Sequence, residues 1–296
     1  MDVPVTEIKA VLVCGAGTMG SGIAQTFAAA GFAVKMYDVS QALVEGGFRK
    51  IKGPLMKRVE RGKMKKEDVD ALVGRIKGTW DLKDACAGVD YVVEAVFEDM
   101  KVKKEVFKTL DEHTPAHAVL ASNTSSLSIS EMAASTKRPE KVIGMHFFNP
   151  APVMQLIEVI RGAATSDETV QASKALAAKL GKNAVEVKES PGFVVNRLLV
   201  PMMNEAFNLL QEGIASPEDI DKAMKMGTNM PMGPFELADY TGLDIGLHTM
   251  ETLFHETGDP KFRPSPLLRK YVRAGRVGMK AGKGVYNYNE KGERVS

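Results

Sequence analysis

Ile8-Lys9-Ala10-Val11-Leu12-Val13-Cys14-Gly15-Ala16-Gly17-Thr18-Met19-Gly20 joins a short apolar run to a glycine turn, and the residues after it complete the unit that decides the fold. The run Ile8 to Val13 is the length of a strand and bounded by a turn, so it predicts a buried β-strand. Ser21 to Ala30 is a small-residue helical stretch, and Ala33 to Tyr37 is a second apolar strand that ends at Asp38. Strand, helix and strand in that order make a βαβ unit with its two strands parallel.

Gly15-Ala16-Gly17-Thr18-Met19-Gly20 has the spacing GxGxxG. The first glycine permits the tight turn, the second lets the backbone approach a pyrophosphate, and the third lets helix pack on strand. The helix N-terminus adds amide donors and a positive dipole end. An unliganded glycine turn also fits the hexapeptide. The strand before it, the helix after it and Asp38, eighteen residues past Gly20, favour a dinucleotide. A carboxylate at that strand end accepts bonds from a ribose diol and repels a 2′-phosphate, and no arginine follows it directly. Asp38 therefore predicts NAD over NADP, against the competing reading of an ordinary turn aspartate. Gly15, Gly17, Thr18, Met19, Gly20 and Asp38 are the cofactor-binding candidates.

Outward from this unit, a charged helical region extends to about Val73. Tyr91 to Val96 and Val119 to Ser122 read as further strands, separated by a helix over Lys101 to Asp111. The alternation predicts a doubly wound, Rossmann-type α/β sheet. Val142 to Phe148 and Met154 to Ile160 read as two strands joined by Asn149-Pro150-Ala151-Pro152, followed by a helix (Thr169 to Leu180) and a strand (Asn183 to Val187). From Gly192 the apolar period becomes helical, with helix starts at Ser216-Pro217-Glu218-Asp219 and near Gly233-Pro234-Phe235-Glu236. The expected division is residues 1–188 for the dinucleotide domain and 189–296 for a smaller all-α domain, with Met202, Met203, Leu209, Leu210, Met224 and Met226 as its core.

Composition narrows the class. Of 296 residues, 39 are basic and 37 acidic, so the net charge of +2 supplies no global field for nucleic acid. The densest basic stretch, Lys57-Arg58 through Lys63-Met64-Lys65-Lys66, reads first as a solvated helix face. Two cysteines are too few for a disulfide scaffold or a cysteine zinc cluster, and no metal is expected. The first residues show no basic region followed by a cleavable apolar segment, and no apolar run approaches the roughly 20 residues of a membrane span. A cytoplasmic protein is expected.

His146 is flanked by apolar strand residues and followed at once by a turn, where site residues sit in open α/β sheets. A structural histidine is the competing reading. If the flanking strands pair about Pro152, Glu158 falls opposite His146, each six residues from that centre. A carboxylate within Leu156-Ile157-Glu158-Val159-Ile160 needs a partner if buried, because an isolated buried charge is costly; the alternative is a solvated strand face. Oxidation of a secondary alcohol requires a base for the hydroxyl proton while hydride leaves carbon, and an imidazole oriented by a carboxylate suits that role.

These motifs, with Glu94-Ala95-Val96-Phe97-Glu98, Ser122-Asn123-Thr124-Ser125-Ser126, His146-Phe147-Phe148-Asn149-Pro150, Pro191-Gly192-Phe193-Val194-Val195-Asn196-Arg197, Met232-Gly233-Pro234-Phe235-Glu236-Leu237 and Gly282-Lys283-Gly284-Val285-Tyr286, span the chain. It resembles the L-3-hydroxyacyl-CoA dehydrogenase family, in the style of its bacterial 3-hydroxybutyryl-CoA members. The resemblance implies an acid/base His146 oriented by Glu158, with Ser125 and Asn196 on the substrate oxygens. For those two, helix capping is the alternative. It also implies cofactor contacts at Asp38, Glu98, Lys103, Ser125, Asn149 and Lys280, where Glu98 and Lys103 read equally well as surface residues. A CoA thioester carries phosphates, for which Lys50 and Lys57 are the candidates, although Gly53-Pro54 is read as interrupting their helix. A short-chain 3-hydroxyacyl-CoA substrate held between the domains, fatty acid or butyrate metabolism, and a homodimer through the C-terminal domain follow from the same likeness. The alternatives are a dehydrogenase of a free 3-hydroxy acid and a non-catalytic, crystallin-like relative.

Overall fold

The computed structural model describes residues 8–295, and the expectation drawn from the first seven residues lies outside them. The chain divides into two compact units, Met1–Ser190 and Pro191–Ser296.

The first unit is built on eight strands: β1 (Ala10–Cys14), β2 (Ala33–Tyr37), β3 (Ile76–Thr79), β4 (Tyr91–Glu94), β5 (Val119–Ser122), β6 (Val142–Phe147), β7 (Leu156–Arg161) and β8 (Asn183–Lys188). Seven helices connect them: α1 (Thr18–Ala29), α2 (Gln41–Glu60), α3 (Lys66–Gly74), α4 (Leu82–Cys86), α5 (Met100–His113), α6 (Ile129–Ala133) and α7 (Asp167–Lys179). The sheet order is β3-β2-β1-β4-β5-β6-β7-β8. Pairing is parallel from β3 through β6, antiparallel between β6 and β7, and parallel again from β7 to β8. The order reverses between β1 and β4, which opens a crevice at the C-terminal edge of the parallel strands.

The doubly wound sheet matches the fold class read from the sequence, with two differences. The strand β3 was not anticipated. Its sequence Ile-Lys-Gly-Thr carries one buried side chain, because an edge strand needs only one packed position and otherwise shows no apolar run. The second difference concerns α2, which runs unbroken from Gln41 to Glu60 through Gly53-Pro54. Its buried residues Val44, Gly47, Ile51 and Leu55 recur at helical spacing and pack on the sheet, while Gly53 and Pro54 face outward. Burial along the whole inner stripe outweighs the roughly 3 kcal/mol that an interior proline costs.

The second unit contains α8 (Val195–Gln211), α9 (Pro217–Thr228), α10 (Pro234–Thr241), α11 (Leu243–Thr257) and α12 (Pro266–Arg273), closed by a ribbon of β9 (Asn287–Tyr288) and β10 (Arg294–Val295). Its core centres on Phe207 and Phe235, whose rings meet edge to face at 5.1 Å. Met203 is buried there, with Met202, Leu209 and Leu210 packed against it. Met224 and Met226 are not core: Met224 is half-buried outside that cluster, and Met226, six residues past the buried Ile220, is turned away from it and 77% exposed. Two buried aspartates fasten the helices. Asp221 accepts the Phe235 and Glu236 amides and the Tyr286 hydroxyl, and Asp239 accepts the Val285 and Tyr286 amides and the Tyr288 hydroxyl. Burial pushes both carboxyls above the usual range despite these bonds.

Candidate active site

Because β1 through β6 are parallel, the residues that follow each of them meet at one edge of the sheet. The glycine turn follows β1, Asp38 follows β2, the segment 95–99 follows β4, Ser125 follows β5, and His146 is the penultimate residue of β6.

The backbone at the turn explains its glycines. Gly15 has φ +106°, and a Cβ there would sit 2.4 Å from the Ala95 carbonyl oxygen. A Cβ on Gly20 would fall 1.8 Å from the Gly15 oxygen, so the third glycine is what lets α1 lie against the turn. Gly17 differs, since a Cβ there would meet nothing within 4 Å. It is the cap of α1, offers no side-chain acceptor to the first-turn amides, and is exposed together with Thr18. Open space before uncapped amides at the N-terminus of a twelve-residue helix is what a pyrophosphate requires. Met19 is half-buried under the turn. Asp38 braces the same loop: its Oδ2 accepts the Ala16 amide at 2.8 Å and its Oδ1 the Val39 amide at 2.8 Å. These residues fit NAD.

The β6–β7 register places His146 directly opposite Glu158. His146 Nδ1 lies 2.8 Å from Glu158 Oε2, and the two residues are 6% and 1% exposed. Glu158 therefore does not lie on a solvated face. The imidazole is stacked at a tilt on Phe148, with ring centroids 4.4 Å apart, and the end of its strand is held by the Phe147 amide donating to Asn123 Oδ1 at 2.8 Å.

The same edge of the sheet carries a second buried charge cluster. Lys103 is 1% exposed, with Nζ 2.7 Å from Glu94 Oε1 and 3.1 Å from Glu98 Oε2. The reading of Lys103 as a surface residue is thus corrected: α5 turns its first apolar stripe, and Lys103 with it, inward. Glu94 also accepts the Ser122 hydroxyl at 2.6 Å and the Val96 amide at 2.7 Å. Glu98 Oε1 accepts the Thr124 hydroxyl at 2.6 Å and the Ser125 amide at 2.9 Å. Burial opposes the Glu98 charge, but Lys103 and these donors outweigh it and hold the carboxyl below its usual range. The cluster ties the loops after β4 and β5 together and fixes Ser125. Ser125 does not cap a helix, for the cap of α6 is Ser128.

Glu94 and Asn123 were not singled out from the sequence. Glu94 carried the signal that found Glu158, a carboxylate within an apolar strand. Asn123 carried none, because its bond to Phe147 spans two strands.

The remaining candidates of the first unit lie at the surface. Asn149 is exposed just beyond β6, where its peptide bond to Pro150 is cis. Lys50 and Lys57 are exposed, seven residues apart on one face of α2, as are the lysines onward to Lys66. Asn196 and Lys280 belong to the second unit. Asn196 sits in the first turn of α8, capped by Val194 without a side-chain bond, and Lys280 Nζ pairs with Asp244 Oδ2 at 2.6 Å.

Residues 10–190 match the model of the 3-hydroxyacyl-CoA dehydrogenase NAD binding domain, and residues 192–288 match that of the C-terminal domain. The chain belongs to the 3-hydroxyacyl-CoA dehydrogenase family. As a member it is an NAD-dependent oxidoreductase. It is 55% identical to the "probable 3-hydroxybutyryl-CoA dehydrogenase" of Bacillus subtilis (strain 168), over 96% of this chain and 99% of that one. The 3-hydroxybutyryl-CoA dehydrogenase of Clostridioides difficile is 48% identical over 94% of this chain and 99% of its own. The crystal structure of (S)-3-hydroxybutyryl-CoA dehydrogenase from Ralstonia eutropha superposes with a TM-score of 0.91 at 48% identity, covering 96% of this chain and all of that one. Among the described residues no helix is long and apolar enough to cross a membrane, and no group of three or more metal-ligating side chains is found.

Proposed function

We propose that this chain interconverts (S)-3-hydroxybutyryl-CoA and acetoacetyl-CoA, with His146 as the acid/base. The observation that carries the reading is the buried His146–Glu158 pair at the edge that also bears the glycine turn. NAD, when bound, supplies the acceptor and donor of hydride. His146 takes the hydroxyl proton in the oxidising direction and returns it in the other. With Nδ1 turned to Glu158, Nε2 is the nitrogen that exchanges this proton, and the carboxylate stabilises the imidazolium that forms. Ser125 and Asn196 donate to the substrate oxygens. Glu98, Asn149 and Lys280 contact the cofactor, with Lys103 acting through Glu98, and Lys50 and Lys57 meet the CoA phosphates. The names of relatives at 48–55% identity support the short acyl chain. The enzyme serves fatty acid or butyrate metabolism in the cytoplasm as a homodimer through its C-terminal domain.

The test is a series of 3-ketoacyl-CoA substrates of increasing length, with free acetoacetate as a further arm, each with NADH and with NADPH. Acetoacetyl-CoA with NADH is expected to give the highest kcat/KM. Equal turnover of free acetoacetate would remove the thioester from the assignment, and a preference for NADPH would remove Asp38 as the ribose-reading carboxylate.

A further inference from the structure

Trp80 is the one tryptophan of the chain, and it is 56% exposed. It immediately follows β3, whose last residue Thr79 pairs with Tyr37 of β2. The pairing continues one step further, since the Asp38 amide donates to the Thr79 carbonyl at 3.3 Å. Trp80 therefore leaves the end of the neighbouring strand next to Asp38, at the same edge of the sheet.

Its place in the chain is held firmly even though its ring is exposed. The Asp81 amide donates to Thr79 Oγ1 at 3.3 Å, and the Asp81 carboxylate caps α4 by accepting the Lys83 and Asp84 amides. Large apolar side chains exposed singly are ordinary. This one has company, because Val39, next to Asp38, is 73% exposed and Leu43, on the first turn of α2, is 49% exposed. Three exposed apolar residues thus neighbour Asp38 in sequence or across the strand pair, and its carboxylate oxygens are already oriented by the Ala16 and Val39 amides. A ribose on Asp38 carries its base a few ångströms away, and an adenine offers a flat apolar face that an indole covers well.

From this juxtaposition we infer that Trp80 is the aromatic wall of the adenosine half of the NAD site, stacking on the adenine whose ribose Asp38 holds. The residue acts on binding of the adenosine half and takes no part in hydride or proton transfer.

Because no second tryptophan exists, its emission reports on this position alone. AMP and ADP-ribose are expected to quench it, and nicotinamide mononucleotide is not. Calorimetric titration with ADP-ribose compares the unmodified chain with Trp80→Ala and Trp80→Phe. Trp80→Ala is expected to weaken ADP-ribose and NADH by the same factor, about 5- to 150-fold for loss of one base–aromatic stack, while Trp80→Phe keeps most of the affinity. Emission indifferent to AMP, or Trp80→Ala binding ADP-ribose as tightly as the unmodified chain, overturns the role of Trp80. Failure of the unmodified chain to bind ADP-ribose overturns the cofactor site along with it.

Discussion

Replacing Glu158 by Gln removes one negative charge from behind His146 while keeping the shape of the side chain and an oxygen that can accept from Nδ1. The contact is 2.8 Å, so the centres of an imidazolium and a carboxylate lie about 4 Å apart. At an effective dielectric constant near 20 their attraction is about 4 kcal/mol, and the retained amide bond restores part of it. The imidazolium exists only after the hydroxyl proton has moved, so the loss falls on the transition state. Oxidation of 3-hydroxybutyryl-CoA by Glu158→Gln is therefore expected to show kcat reduced by about 10²- to 10³-fold, with KM and the Kd for NADH little changed. His146→Gln is expected to lose more, and the double variant no more than His146→Gln alone, because two groups that act as a unit are not additive. Steady-state rates followed by NADH absorbance, with calorimetric NADH binding as the control, decide the matter. A Glu158→Gln enzyme with kcat within about threefold of the unmodified one would refute the pairing as a mechanism.

Two further outcomes concern the charge cluster. Lys103→Met leaves Glu94 and Glu98 facing each other without a cation, and breaking a buried pair from one side costs about 3–5 kcal/mol. For a unit of this size the thermal midpoint is expected to fall by roughly 6–20 °C, and a midpoint within about 2 °C would show the cluster to be energetically idle. The Glu98 carboxyl is depressed in the folded chain, so its contribution is present above the unfolded value, near 4.3, and is lost as pH falls through the lower folded value. The stability gap between the unmodified chain and Glu98→Gln is accordingly expected at pH 7 and should close below about pH 4. Denaturant titrations across that range check it, and a gap that stays constant would contradict the sign. In the second unit Asp221 and Asp239 are raised instead, so their protonation favours the folded form as pH falls through the same region.

Much of the site was legible because its signals are local. GxGxxG between a strand and a helix, and an aspartate at the end of the next strand, are statements about one βαβ unit. The opposition of His146 and Glu158 followed from counting residues across a short connection, since side chains in a strand pair alternate with a fixed period. The same reasoning applied to Glu94 would have found a second buried carboxylate.

The amino-acid sequence by itself determined the parallel sheet, the dinucleotide turn and the facing of imidazole and carboxylate, because each depends on periodicity and spacing over a few tens of residues. Only the tertiary structure decided that α2 continues through Gly53-Pro54, that Ile76 to Thr79 forms an edge strand, that Lys103 is enclosed by two carboxylates, and that Met226 faces outward. Each of those outcomes is set by what packs on the segment from elsewhere in the chain. A charged or helix-breaking residue states its own preference locally, but whether that preference prevails depends on the burial of its neighbours.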